Sequence, residues 1–92
     1  PDTALSLKNG FSALEISSED NKKGALAVFT LGKGKDNDFL VIPKGINPSF
    51  NYTVTLDNSD STFKISGFEL MKGIRINIPS ALSSELILYK AD

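Results

Sequence analysis

The side chains of this sequence that could do chemistry are carboxylates, because its 92 residues include 11 acids but neither histidine nor cysteine. Hydrolysis of a glycosidic bond is one reaction that two carboxyl groups perform alone, when they face each other about 5 to 10 Å apart. The candidates for such a pair are Glu15, Glu19, Glu69 and Glu85, considered together with the aspartates. Most of these acids lie in predicted turns or at strand ends, and so small a domain has little room for a walled cleft. The sequence therefore predicts no catalytic residue.

Glu69 is the one carboxylate with a distinctive setting. It lies in a short segment with helical spacing, bounded by Gly67 and Gly73. The simplest interpretation is that its carboxylate accepts hydrogen bonds from nearby backbone amides, as acids at turns often do.

Metal and cofactor sites find little support in the sequence. The loops Asp36–Asp38 and Asp57–Asp60 could offer oxygens to calcium, but neither has the spaced acids and distal glutamate of an EF-hand. Asn and Asp are also the preferred residues of turns. The segment Gly32–Gly34 lacks the spacing of a phosphate-binding loop. We expect no metal ion and no cofactor.

The charge and hydropathy of the sequence indicate which binding partners to expect. Ten basic and 11 acidic residues give a formal net charge of −1, and the lysines are scattered from Lys8 to Lys90 with Arg75 as the only arginine. A nucleic-acid-binding protein needs a concentrated positive face. A membrane-spanning helix needs about 20 consecutive apolar residues, and no stretch approaches that length. We expect neither nucleic acid nor a membrane as a partner.

Apolar residues recur with period two, and clusters of turn-forming residues interrupt them about every ten positions. This pattern predicts one all-β domain over residues 1–92, an antiparallel β-sandwich of seven or eight short strands with at most one helical turn near residues 67–72. The pair Asn9-Gly10 suits a tight hairpin turn between the first two strands. The strands are predicted at 3–8, 11–16, 25–31, 39–42, 52–56, 62–65, 74–78 and 86–89.

Two strands, 25–31 and 86–89, are apolar on both alternating faces. A surface strand of an isolated sandwich normally has one polar face. Either these are central strands covered by loops, or their outer face is buried against another domain. The side chains expected at such an interface are Phe29, Leu31, Ile87 and Tyr89.

Sugar binding by a sandwich usually relies on exposed aromatic faces. The chain has no tryptophan, its six phenylalanines fall mostly at predicted inward positions, and Tyr52 shares the buried parity of Val54. Tyr89 is the aromatic residue with the best prospect of exposure. Carbohydrate binding by this domain is therefore weakly supported.

Three segments, Lys44–Val54, Ser66–Ile74 and Leu86–Tyr89, resemble the C-terminal β-sandwich domain of glycoside hydrolase family 36, the α-galactosidase group. That domain typically has a Gly-Leu-Asp-Pro turn before a tyrosine-bearing strand, and Gly-x-Glu-Leu-Met before a Gly-Leu strand. The matching residues are Gly45, Pro48, Tyr52, Gly67, Glu69, Leu70, Met71 and Gly73. Asn47 stands where the family has aspartate.

The resemblance implies a non-catalytic accessory domain that packs on and braces a catalytic (β/α)₈ barrel. The nucleophile and the acid/base of the family belong to the barrel, so no position here inherits them. A homo-oligomer is a second kind of partner that an apolar face allows. The alternatives are an independent carbohydrate-binding module and a spacer or adhesion module of a surface protein.

The chain starts at Pro1 without the features of a signal peptide, and we expect it to be a piece of a longer protein. Its compartment is then set by the parent, and both a cytoplasmic and an extracellular bacterial location remain open.

Overall fold

The computed structural model describes residues 3–8, 11–30, 37–78 and 84–92, which form eight strands and one helical turn. The elements are β1 (Thr3–Lys8), β2 (Phe11–Ser17), β3 (Lys23–Thr30), β4 (Asn37–Val41), β5 (Asn51–Leu56), β6 (Ser61–Ser66), α1 (Gly67–Leu70), β7 (Ile74–Ile78) and β8 (Ser84–Ala91). The predicted fold class, with seven or eight strands and one short helical turn near residues 67–72, is confirmed.

The strands form two antiparallel sheets. The large sheet has the order β1-β2-β3-β8-β5-β6, and the small sheet pairs β4 with β7. In the first hairpin Lys8 pairs with Phe11, which leaves two residues for the connection. The predicted Asn9-Gly10 turn itself lies outside the described residues. Strands β3 and β8, the two that are apolar on both faces, are the central pair of the large sheet.

The hydrophobic core lies between the two sheets. The small sheet contributes alternate residues of β7, whose side chains at Ile74, Ile76 and Ile78 are buried while Arg75 and Asn77 are exposed. This alternation is typical of a strand with one face on a core. The buried apolar residues are Ala13, Leu26, Val28, Phe39, Val41, Tyr52, Val54, Leu70, Ile74, Ile76, Ile78, Ile87 and Tyr89. We call the side of the large sheet that meets the small sheet its inner face, and the opposite side its outer face.

The helical turn α1 spans Gly67–Leu70, within the predicted segment 67–72. Ser66 caps it, since the Ser66 hydroxyl accepts from the backbone N–H of Glu69 at 3.2 Å. After α1, Gly73 adopts a φ of +106°, a left-handed conformation that glycine adopts without steric cost. With only four residues, α1 is far too short to cross a bilayer, and the described ranges contain no helix that could do so.

Candidate interaction surface

The outer face of the large sheet carries a continuous group of apolar side chains across β2, β3 and β8. The strand register places Leu14 beside Ala27 and Ala27 beside Leu86, and it places Ala25 beside Leu88. Four of the large side chains are substantially exposed: Ile16 53%, Phe29 45%, Leu86 36% and Leu88 39%. We call the group the apolar outer patch; it comprises Leu14, Ile16, Ala25, Ala27, Phe29, Leu86 and Leu88.

Of the four predicted interface residues, the structure places one on this patch. Phe29 lies on it, and Leu31 lies outside the described residues. Ile87 and Tyr89 are 1% and 2% exposed, so their assignment to an outer interface was wrong. The outward residues of β8 are instead Leu86 and Leu88.

Contacts with residues far away in the chain decide which side chains of β8 face the core. Both parities of this strand are apolar, so alternation alone cannot distinguish them. Glu85 shares the parity of Ile87 and Tyr89, and its carboxylate is held on the inner side by residues of the β5–β6 turn. Both strands are central in the large sheet, and Phe29, Leu86 and Leu88 on their outer face are exposed. Among the described residues, the loop cover of the first alternative is therefore not found over these side chains, whereas burial against another domain stays a prediction.

Glu15 is a buried carboxylate, 4% exposed, on the inner face of β2. Its Oε1 accepts from the backbone N–H of Lys44 at 2.7 Å, and its Oε2 accepts from the N–H of Gly45 at 2.9 Å. Tyr89 Oη donates to the same Oε2 at 2.8 Å. Burial, followed by the hydrogen bond to Glu15, raises the pKa of Tyr89 well above its ordinary value. Three donors thus satisfy this carboxylate, which ties the segment after β4 to the large sheet.

Glu85 is the second buried carboxylate, 3% exposed, on the inner face of β8. Its Oε1 accepts from the N–H of Asn58 at 2.7 Å and from its own neighbour Leu86 at 2.9 Å. Its Oε2 accepts from the Ser59 hydroxyl at 2.8 Å. The carboxylate therefore closes the turn between β5 and β6 onto β8. Sequence reasoning named both buried glutamates as candidate acids but missed their structural role, because all but one of these hydrogen-bond partners lie 26 to 74 positions away.

Glu69 lies in a different setting from the predicted one. Its carboxylate is exposed and pairs with Lys72 Nζ at 3.2 Å, so the expected bond to backbone amides was wrong. The Lys72 ammonium also lies 4.4 Å from the centre of the Phe68 ring. Of the two acidic loops, Asp57–Asp60 forms the β5–β6 turn, whereas Asp36 lies outside the described residues. Among the residues described, no three acids gather where they could hold a metal ion.

Three residues that carry the sequence resemblance, Gly45, Tyr52 and Gly67, lie in or against the connection between β4 and β5. Tyr52 Oη accepts from the Asn47 N–H at 2.8 Å and donates to the Asn21 carbonyl at 2.6 Å. A Cβ on Gly67 would meet the Asn47 carbonyl oxygen, and a Cβ on Gly45 would lie 2.6 Å from Tyr89 Oη. Both glycines are thus needed for close packing. Of the other motif residues, Leu70 is buried in the core, whereas Pro48 and Met71 are exposed.

The aromatic residues depart from the predicted distribution. Tyr52 is buried as predicted, but Tyr89 is buried too, with its ring packed edge-on against that of Tyr52 at 5.8 Å between centroids. Tyr89 therefore offers no stacking surface for a sugar. Phe29, Phe63 and Phe68 are exposed, so fewer phenylalanines point inward than the pattern indicated.

At one end of the outer face, β5, β6 and β8 carry polar side chains. Thr53 Oγ1 donates to Asp92 at 2.6 Å, and Lys64 Nζ lies 3.6 Å from the same carboxylate. The hydrogen bond from Thr53, together with the charge of Lys64, lowers the pKa of Asp92 below its ordinary value. Beside these groups is an open trough of about 590 Å³, lined on β5 and β8 by Thr53, Thr55, Leu88 and Lys90 among others. The outer face thus has an apolar region on β2, β3 and β8 and a polar region at one end.

These features define an all-β domain of two antiparallel sheets, whose large sheet has one face in the core and, on the opposite face, exposed apolar side chains on β2, β3 and β8. No protein-family model, curated protein or solved structure matches this chain.

Proposed function

We propose that this chain is the non-catalytic C-terminal accessory domain of an α-galactosidase-like glycoside hydrolase, and that its apolar outer patch packs on the catalytic barrel. The role is structural: the domain braces the barrel, and the barrel covers the patch.

The observation that carries the proposal is the exposure of Ile16, Phe29, Leu86 and Leu88 on the outer face of β2, β3 and β8. Scattered exposed apolar residues are normal, but a contiguous apolar patch on a sheet face is typical of an interaction surface. Burial of apolar area is worth roughly 25 cal/mol per Å². Covering four such side chains would therefore stabilise a complex appreciably.

The two buried carboxylates are consistent with this role. Glu15 and Glu85 each use both oxygens to accept hydrogen bonds from loops. A carboxylate whose two oxygens are both engaged in this way stabilises the fold and is not free to transfer a proton to a substrate. The family resemblance of the segments around Gly45 and Gly67 supplies the identity of the expected neighbour.

The first test is the coding sequence on the amino-terminal side of residue 1. A barrel with two paired aspartates there supports the proposal, and a series of tandem sandwiches contradicts it in favour of a spacer or adhesion module. The second test is an assay of the 92-residue chain on α-galactosides, in which appreciable turnover would remove the non-catalytic role.

A third test measures docking directly. The barrel segment, produced without residues 1–92, is titrated with the 92-residue chain by calorimetry. Leu88→Asp places a charge in the apolar outer patch and is expected to abolish binding. Met71→Asp is the matched control, since Met71 is 44% exposed but lies just after α1, away from the patch. Equal binding by both variants would exclude this face.

A further inference from the structure

The strand register aligns three lysines at one end of the outer face. Lys23 of β3 pairs with Lys90 of β8, Lys90 pairs with Thr53 of β5, and Thr53 pairs with Lys64 of β6. Residues directly opposite each other on neighbouring strands have Cβ atoms about 4.5 to 5.5 Å apart. All three lysines are exposed. We call Lys23, Lys90 and Lys64 the lysine row.

Only part of the charge of this row is compensated by ion pairs among the described residues. Lys64 pairs with Asp92. In the part of the chain that the structure describes, neither Lys23 nor Lys90 forms an ion pair. Like charges directly opposite on neighbouring strands destabilise a sheet. The Lys23–Lys90 pair is therefore a local cost that a negatively charged partner would remove.

The lysine row borders the apolar outer patch in the same surface. The next cross-strand row contains Ala25, Leu88, Thr55 and Thr62, and the trough beside Leu88 and Lys90 lies where the two regions meet. A partner that covers Leu88 must also approach Lys90. Charges at the rim of an interface select the partner and steer its approach.

We propose that the partner of this face is a protein surface with an apolar centre and a border of carboxylates that pair with Lys23 and Lys90. The proposal rests on the function proposed above and specifies the surface that the neighbouring domain presents. A protein is favoured over an anionic membrane because the net charge of the chain is −1 and the apolar side chains lie on a sheet face rather than on a protruding loop.

The test titrates the separately produced barrel segment with the 92-residue chain at about 0.1 M and about 1 M salt, where the Debye length is about 10 Å and about 3 Å. The variant is Lys23→Glu combined with Lys90→Glu. Arg75→Glu is the matched control, since Arg75 is an exposed cation on the small sheet that points away from the core. Circular dichroism verifies that each variant is folded.

We expect wild-type binding to weaken at high salt, and the double variant to bind about tenfold more weakly than wild type at low salt. Arg75→Glu should bind as wild type does. One outcome would contradict this inference alone: Leu88→Asp abolishes binding, but the double variant binds as wild type does. The partner would then dock on the apolar outer patch without carboxylates that pair with Lys23 and Lys90. If wild type does not bind at all, the proposed function fails as well.

A parallel titration uses vesicles of phosphatidylcholine with and without phosphatidylserine. Lysine-dependent binding to the anionic vesicles, without binding to the barrel segment, would overturn the proposal and make a membrane the occupant.

Discussion

Tyr89 Oη donates a 2.8 Å hydrogen bond to Glu15 Oε2, a contact between residues 74 positions apart that joins β8 to β2 across β3. The same carboxylate holds the backbone of Lys44 and Gly45, so one buried group connects the two ends of the chain to its middle.

Tyr89→Phe should lower the free energy of unfolding by about 1 to 2 kcal/mol, because it removes one donor from a buried carboxylate. Glu15→Gln should cost more, since its amide nitrogen would face a donor group. Urea unfolding followed by circular dichroism measures both. Thr55→Val, which removes an exposed hydroxyl on the outer face, is the control and should change stability by less than about 0.5 kcal/mol. A Tyr89→Phe variant as stable as this control would contradict the role of the contact.

The raised pKa of Tyr89 predicts a loss of stability in alkali. The unfolded chain releases the tyrosine proton near pH 10, the ordinary pKa, whereas the folded chain retains it. Unfolding then releases a proton. A rise in pH therefore lowers the free energy of unfolding by up to about 1.4 kcal/mol per pH unit. In urea unfolding between about pH 8 and about pH 11, wild type and Tyr89→Phe should differ less in their free energy of unfolding above about pH 10. A difference in free energy of unfolding that does not change with pH would show that Tyr89 has the same pKa in the folded and unfolded states.

The orientation of β8 predicts opposite outcomes for two adjacent residues. Ile87→Ala empties a position that is 1% exposed and should cost about 2 to 5 kcal/mol. Leu88→Ala alters a side chain that is 39% exposed and should cost less than about 1 kcal/mol. Thermal or urea unfolding of the two variants measures the difference. Equal costs would mean that Leu88 is covered in solution, and sedimentation equilibrium would then reveal a dimer.

The contacts of Glu85 predict that the β5–β6 turn depends on one side chain of β8. Glu85→Gln should destabilise the domain by about 1 to 2 kcal/mol, because the hydrogen bonds from the Asn58 amide and the Ser59 hydroxyl lose the carboxylate charge that strengthens them. Ser59→Ala removes a single contact and should cost less. Hydrogen exchange should show faster exchange of the Asn58 amide in Glu85→Gln. Unchanged protection would show that the turn forms without the carboxylate.

The sequence alone predicted the fold class and most strands, because turn residues and period-two alternation are local signals. It placed Tyr52 in the core because that residue shares the parity of Val54, while Thr53 and Thr55 at the alternate positions are polar. It found the helical turn because a short segment with helical spacing lies between Gly67 and Gly73.

Tertiary structure decided what local pattern left ambiguous. The strand β8 is apolar in both parities, so contacts with distant residues decide that Leu86 and Leu88 point outward: Glu85 bonds the β5–β6 turn, and Tyr89 bonds Glu15. The partners of Glu15 come from a distant loop, and the lysine row exists only through the register of four strands. The sequence by itself determined that a two-layered sheet protein forms, since burial follows from alternating hydrophobicity. Which face remains uncovered depends on contacts between residues far apart in the chain, and these form only when the sheets assemble.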